Sequence, residues 1–137
     1  MKLVTAAQMQ AIEKASSERG ISLDDLMENA GRMVADTVST ALGGYRKIFG
    51  KRLLVLVGPG NNGSDGLVAG RHLSKDGAVV TAILCADRKS PDTKRDLAEV
   101  AGVTIINGVP ETVLTILKEK LKSTDMVIDA VLGTGTI

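Results

Sequence analysis

The sequence predicts an α/β protein in which a mostly parallel sheet lies between two layers of helices and is preceded by two N-terminal helices. From residue 51 onward, short apolar runs rich in β-branched residues alternate with segments of helical periodicity. Such runs are typical of strands buried on both faces of a parallel sheet, and helices between them imply right-handed crossovers. A glycine-rich turn directly follows the first run. Together these observations predict a Rossmann-like three-layer αβα fold.

The first third of the chain predicts two amphipathic helices. Thr5 followed by Gln8, and Ser22 followed by Asp25, each resemble a capping box, in which two side chains satisfy free N–H groups at a helix start. The two helices cover an edge of the sheet or supply a dimer surface, and the sequence leaves both interpretations open. We expect their apolar positions to be core: Met9, Ile12 and Ala15, and then Leu26, Met27, Ala30, Met33, Val34, Val38 and Leu42.

Four strands and three more helices are predicted after residue 51. The strands are residues 53–57, 78–84, 103–106 and 126–132. The helices are marked by Leu67, Val68, His72 and Leu73, by Ser90 as a cap with Pro91 in the first turn, and by Pro110 as the first residue of the third.

Composition restricts the class of protein. The 137 residues are 44% hydrophobic with a formal net charge of +1, which is typical of a globular domain. One Tyr, one Phe and no Trp provide no stacking platform, so nucleic-acid binding is not expected. No apolar run is long enough for a membrane span, so we expect a cytoplasmic location. Cys85 follows an apolar run, and we interpret it as a buried small hydrophobe rather than a nucleophile.

The most informative feature is the glycine-asparagine segment, residues 58–66, which reads Gly-Pro-Gly-Asn-Asn-Gly-Ser-Asp-Gly. A strand that ends in such a turn and continues as a helix directs backbone N–H groups at one point, where an anion such as diphosphate binds. The segment satisfies the dinucleotide pattern G-x-G-x-x-G, and Asp87 follows where a ribose-binding acid is expected. It lacks the ending of a P-loop, so triphosphate hydrolysis is not expected.

A second small-residue turn, residues 129–135, follows the last predicted strand and belongs at the same edge of the sheet. Asp129 lies inside an apolar run and needs a partner, which is a cation or a set of backbone N–H groups. Asp65 at the predicted helix start would repel a diphosphate, and a bound cation would remove that conflict. Oxygens of Asn61 or Asn62 and of Asp129 suit an alkali or alkaline-earth ion. The residue types therefore predict an anion pocket beside a small cation pocket.

Three segments, residues 26–31, 58–73 and 129–135, resemble in sequence and order the YjeF N-terminal domain, the NAD(P)HX epimerase family. The resemblance implies an isomerase that interconverts the R and S epimers of hydrated NADH or NADPH. It also implies an ADP- or ATP-dependent dehydratase, fused or separate, that uses one epimer. We expect residues 1–137 to form a single and incomplete domain of this kind, and a homodimer is left open.

The resemblance also implies which residues form the site. Potassium is the implied cofactor, with Asn62 and Asp129 as its ligands. Ser64 stands where the family usually has a second glycine, which would weaken binding if that position needed a positive φ. The implied contacts to the hydrated nucleotide are Asn61, Asn62, Gly63, Ser64, Asp65, Gly133, Thr134 and Gly135.

We assign roles to three residues as hypotheses. Asp129 is the catalytic residue, which organises the cation at the nicotinamide ring, and Asp65 orients the asparagines. His72, in the helix after the segment, is interpreted as structural. Two alternatives stay open: a non-catalytic binding or dimerisation scaffold of the same fold, and a nicotinamide-dependent oxidoreductase that uses Asp87.

Overall fold

The computed structural model describes residues 3–108 and 110–133, and only the backbone of Pro110. The strands are β1 Arg52–Val57, β2 Val79–Leu84, β3 Thr104–Asn107 and β4 Met126–Ala130. The helices are α1 Ala6–Glu18, α2 Leu23–Ala41, α3 Tyr45–Ile48, α4 Asn61–Lys75, α5 Thr93–Val100 and α6 Pro110–Leu121. Within these residues, no helix has both the length and the apolar character of a membrane span.

The four strands in this part of the chain form one parallel sheet in the order β3-β2-β1-β4. The chain runs outward from β1 to β2 and β3, and then returns to the other side of β1 as β4. The predicted α/β, Rossmann-like fold is confirmed. Because the strand order reverses between β1 and β4, the loops after these two strands lie next to each other at the carboxyl edge of the sheet.

The main core lies on one face of the sheet, where alternate residues of each strand meet α2, α4 and α5. Leu53, Val55 and Val57 of β1 face this core. Gly66 of α4 lies so close to the sheet that a Cβ there would be 2.5 Å from the Cβ of Ala130. Helix α6 lies on the other face of the sheet. A Cβ at Gly108 would be close both to Val113 of α6 and to Ile83 of β2, which is not part of the main core.

Both predicted capping boxes are confirmed. The Thr5 hydroxyl accepts from the N–H of Gln8 at 3.2 Å, and the Gln8 side chain accepts from the N–H of Thr5 at 2.8 Å. Ser22 and Asp25 make the same reciprocal pair at the start of α2. These two pairs fix the first residues of α1 and α2, as the sequence predicts.

The prediction that the apolar side of both helices is core holds only for part of α2. No described residue of α1 is buried, and Met9 and Ile12 are 40% and 50% exposed. In α2 the buried residues include Ala35 and Val38, whereas Met33 is 65% exposed. In the described part of the chain, helix α1 contacts α2.

Three predicted element ends are wrong by two residues or more, whereas the ends of β1 to β3 differ by at most one residue. Helix α4 begins at Asn61 inside the glycine-asparagine segment, so Asp65 lies in its second turn rather than at its start. Helix α5 begins at Thr93 with Asp92 as its cap, instead of Ser90. Strand β4 ends at Ala130, two residues early, because the Asp129 carboxylate accepts from the N–H of Val131 at 3.0 Å. The short helix α3 is not predicted by the sequence.

Candidate functional site

Two loops meet at the carboxyl edge of the sheet, where the strand order reverses. The β1 loop, residues 58–60, continues into α4, and the β4 loop, residues 131–133, follows β4. The N–H of Gly58 donates to the carbonyl of Ala130 at 3.0 Å. The Asn62 side-chain amide donates to the carbonyl of Leu132 at 2.7 Å. The two segments that the sequence singles out are therefore in direct contact.

This contact requires glycine at two positions. A Cβ at Gly58 would overlap the carbonyl oxygen of Val131, and a Cβ at Gly63 would overlap the carbonyl oxygen of Gly58. Both overlaps involve backbone atoms, which cannot move without displacing a loop. Gly133 is also close, since a Cβ there would lie 3.3 Å from the Cβ of Asn62. The glycines thus allow close packing of the two loops, not positive φ angles.

Helix α4 begins beside these loops without a side-chain cap. Its N-cap residue is Gly60, which is extended and has no side chain to accept a hydrogen bond. The N–H groups of Asn61, Asn62 and Gly63 are the first three of the helix, and such groups have no acceptor within a helix. Together with the positive end of the helix dipole, they suit an anion such as a phosphate.

Ser64 lies within the first turn of α4, and no described residue other than glycine has a positive φ. The serine therefore has no conformational cost at this position. Its hydroxyl lies 2.9 Å from Nη2 of Arg88, which donates to it. Ser64, which stands where the family that the sequence resembles has glycine, thus contacts a neighbouring side chain.

Asp65 is half-buried and faces neighbouring helices. Burial raises the pKa of its carboxyl to about 6, and the negative charge of Glu13 adds to this, while Lys94 opposes it. Its Oδ1 is buried without a hydrogen-bond partner among the described residues. No hydrogen bond joins this carboxylate to the asparagines in that part of the chain, so its assignment as their orienting group has no direct contact behind it.

Asp129 is exposed, although its sequence context suggests a buried carboxylate. It pairs with Leu56 in the register of β4 against β1, and β4 is the outer strand of the described sheet. One oxygen accepts from the N–H of Val131. Of the two partners that the sequence allows, the structure thus supplies backbone N–H, and the exposed position keeps the carboxylate solvated.

Arg88 is a site residue that sequence reasoning missed. Its side chain is 7% exposed, and it donates to the carbonyls of Gly58 and Gly60 as well as to Ser64. Its Nε donates to Asp92 at 2.5 Å. The available signal was its position, since it directly follows Asp87 after the second strand. Asp87 itself is exposed and lines, together with Arg88 and Asp92, a cleft of about 550 Å³ beyond β2 and β3.

Glu28 joins α2 to α4 and α5 behind the site. Its Oε1 lies 2.8 Å from Nε2 of His72 and contacts Arg71, while Lys94 lies 3.9 Å from its other oxygen. Burial alone would raise the pKa of Glu28, but hydrogen bonds from His72 and Arg71 outweigh it and lower the pKa. The interpretation of His72 as structural agrees with this contact.

The remaining candidates are a cysteine and two residues of the second turn. Cys85 is half-buried, and burial raises the pKa of its thiol, which disfavours the reactive thiolate. Thr134 and Gly135 lie outside the described residues. Across residues 3–108 and 110–133, no group of three His, Cys, Asp or Glu side chains is placed to hold a metal ion.

The fold and site define an α/β domain whose loops after β1 and β4 meet at the switch point of a parallel sheet. Residues 23–137 match the family described as YjeF-related protein N-terminus. The chain belongs to this family, as its resemblance predicted.

Relatives and a solved structure agree with this assignment. A bifunctional NAD(P)H-hydrate repair enzyme of Moorella thermoacetica is 37% identical over 98% of this chain and 26% of its own length. An NAD(P)H-hydrate epimerase of Dehalogenimonas lykanthroporepellens is 40% identical over 95% of this chain and 51% of its own length. The crystal structure of yeast ynu0 superposes with a TM-score of 0.81 at 28% identity, over 100% of this chain and 59% of that one. The chain thus spans between a quarter and a half of these curated relatives.

Proposed function

We propose that this chain binds hydrated NADH or NADPH at the β1 and β4 loops and the start of α4, and interconverts its R and S epimers. One observation carries the proposal: the uncapped start of α4 is held against the β4 loop through Asn62 and Leu132. A dinucleotide carries a diphosphate, which suits the positive end of a helix. The names of the relatives, NAD(P)H-hydrate epimerase and NAD(P)H-hydrate repair enzyme, support this substrate.

The proposed chemistry needs little from the protein. The hydroxyl on the hydrated ring carbon leaves one face and returns to the other, or the ring opens in an equivalent way, and the ring nitrogen supplies the electrons. The protein positions the ring, protonates the departing oxygen and accepts a proton from the returning water. We assign this proton transfer to the neighbourhood of Asp129, directly or through a water. The exposure of Asp129 beside the β4 loop supports the assignment.

We also propose that Asn62 and Asp129 hold a potassium ion. The amide nitrogen of Asn62 is directed to Leu132, so its oxygen is available, and Asp129 uses one oxygen for Val131. Amide and carboxylate oxygens suit an alkali ion and not zinc. When bound, the ion would supply positive charge beside the diphosphate and the carboxylate.

The test is the ratio of R to S epimers of hydrated NADH, followed by NMR after one epimer has been enriched. We expect the chain, or a version that continues past Ile137, to restore the equilibrium ratio faster in potassium than in sodium. Asp129→Asn should slow this reaction about 100-fold, as is typical when a general acid–base group is removed. Asp87→Asn, which changes an exposed carboxylate of the cleft beyond β2 and β3, is the matched control and should retain the full rate.

Three outcomes would contradict the proposal. Binding of hydrated NADH without epimerisation in both chain lengths would favour a scaffold. Hydride transfer that is lost in Asp87→Asn would favour an oxidoreductase. If neither Asp129→Asn nor the replacement of potassium by sodium changes the rate of the parent chain in potassium, Asp129 and potassium have no part in the mechanism.

We propose a homodimer through the exposed apolar side of α1, which has Met9 and Ile12 at its surface. Ile12→Lys should then convert a dimer to a monomer in sedimentation experiments, and a monomeric parent chain would contradict this.

We further propose a cytoplasmic location and an ADP- or ATP-dependent dehydratase, fused or separate, as partner. The bifunctional names of some relatives support the second activity.

A further inference from the structure

The Arg88 guanidinium is a buried charge at the centre of the glycine-asparagine segment. With 7% of its side chain exposed, it has lost most of its hydration and needs protein acceptors. It has them on three sides: the carbonyls of Gly58 and Gly60, the hydroxyl of Ser64 at 2.9 Å, and the carboxylate of Asp92 at 2.5 Å. A guanidinium carries its N–H groups in a rigid plane, so these contacts fix the acceptors relative to one another.

Asp92 compensates the charge and anchors it. Its side chain is 12% exposed, and its second oxygen accepts from the N–H of Arg95 at 3.2 Å as the cap of α5. Burial would raise the pKa of Asp92, but the hydrogen bonds from Arg88 and Arg95 lower it. Arg88 therefore ties the β1 loop to the start of α5.

The shape of the segment is matched to this side chain. A Cβ at Gly63 would lie 2.7 Å from Nη1 of Arg88, so the guanidinium occupies space that only glycine leaves free. Ser64 adds an acceptor that a glycine lacks. The carbonyl of Gly60 faces Arg88, and because a trans peptide directs C=O and N–H oppositely, the N–H of Asn61 points away from the guanidinium.

We propose that Arg88 is a positioning residue: together with Ser64 it holds the β1 loop in the conformation that presents the first N–H groups of α4 to an anionic ligand. The identity of that ligand rests on the proposed function, whereas the positioning of the loop does not. Arg88 acts through the backbone of the β1 loop and through Ser64.

The test compares Arg88→Lys, Ser64→Ala and the control Lys89→Met, which changes an exposed neighbour. NMR hydrogen exchange reports on the N–H groups of Gly58 and Ser64, which donate to Ala130 and Gly60. A lysine keeps the charge but cannot reach several acceptors at once. We expect about tenfold faster exchange at both amides in Arg88→Lys, about threefold in Ser64→Ala, and no change in Lys89→Met.

Binding of NADPH, used as the probe, provides a second readout. We expect its dissociation constant to rise about tenfold in Arg88→Lys, with the rest of the exchange pattern unchanged. If Arg88→Lys does not fold, Ser64→Ala decides the matter by its own exchange rates. Native exchange at Gly58 and Ser64 in a folded Arg88→Lys, or in Ser64→Ala alone, would overturn the proposal. Faster exchange with no NADPH binding in any variant would support the positioning role and contradict the proposed function.

Discussion

At the scale of single residues, Asn62 decides whether the two loops of the site stay together. Its amide donates to the carbonyl of Leu132, and a carboxylate at this position would have nothing to donate and would repel that carbonyl. We expect Asn62→Asp to lower the free energy of unfolding by about 1 kcal/mol. Denaturant titration is the measurement.

Asn61→Asp is the matched control for this change. Asn61 is the exposed first residue of α4, where a negative charge interacts favourably with the helix dipole. We expect it to be neutral or slightly stabilising. If the two variants lose the same stability, the hydrogen bond from Asn62 does not hold the loops.

Asp65 provides a prediction on pH dependence. Its pKa is raised to about 6 in the folded chain from an ordinary value of 3.8. A raised carboxyl pKa means that the stabilising protonated form is fully present below about pH 4 and is lost as the pH rises through 6. We expect Asp65→Asn to be more stable than the parent by about 1 kcal/mol at pH 7.5, after allowing for partial exposure, and equal to it at pH 4.

Thermal melting at both pH values is the measurement for Asp65→Asn. The predicted result is a higher melting temperature at pH 7.5 only. An equal rise in melting temperature at both pH values would mean that the charge of the Asp65 carboxylate does not destabilise the fold. The same variant should bind NADPH more weakly if Asp65 contacts the nucleotide, in which case the parent chain retains a destabilising group for function.

At the scale of elements, glycines determine how closely α4 packs on the sheet. A Cβ at Gly66 would lie 2.5 Å from the Cβ of Ala130 and 3.2 Å from Cγ1 of Val55. We expect Gly66→Ala to destabilise the chain by about 2 kcal/mol, because α4 must move away from β1 and β4. Gly60→Ala is the control, since a Cβ there meets nothing within 4 Å, and it should cost less than about 1 kcal/mol. Equal losses in urea titrations would contradict this account of the packing.

Some elements could be predicted from the sequence and others could not, and the glycines of α4 are one reason. Strands β1 to β4 are short apolar runs, and their existence and order along the chain follow from that pattern. The start of α4 does not, because Gly63 and Gly66 read as turn residues, whereas here they are contact points inside a helix. The start of α5 depends on Asp92, and sequence proximity favoured Ser90 beside Pro91 instead.

The site, too, has residues that could be predicted from the sequence and residues that could not. Asn61 to Asp65 and the β4 loop could be predicted because strand order places them at one edge. The role of Arg88 could not be predicted, because its acceptors lie 24 to 30 residues away in the sequence and only the fold brings them together. The apolar neighbours of Asp129 in the sequence predict a buried carboxylate, but its strand is the outer one in the described sheet.

At the scale of the whole molecule, we propose that the β1 loop, the start of α4 and the β4 loop form one ligand site. The direct measurement is a titration of the ¹⁵N-labelled chain with hydrated NADH, with amide shifts recorded in potassium and in sodium. We predict that the largest shifts fall on residues 61–65 and 132–135 together, and that they are larger in potassium. Shifts confined to the cleft beyond β2 and β3, with none at residues 61–65 and 132–135, or no shifts at all, would contradict the proposal.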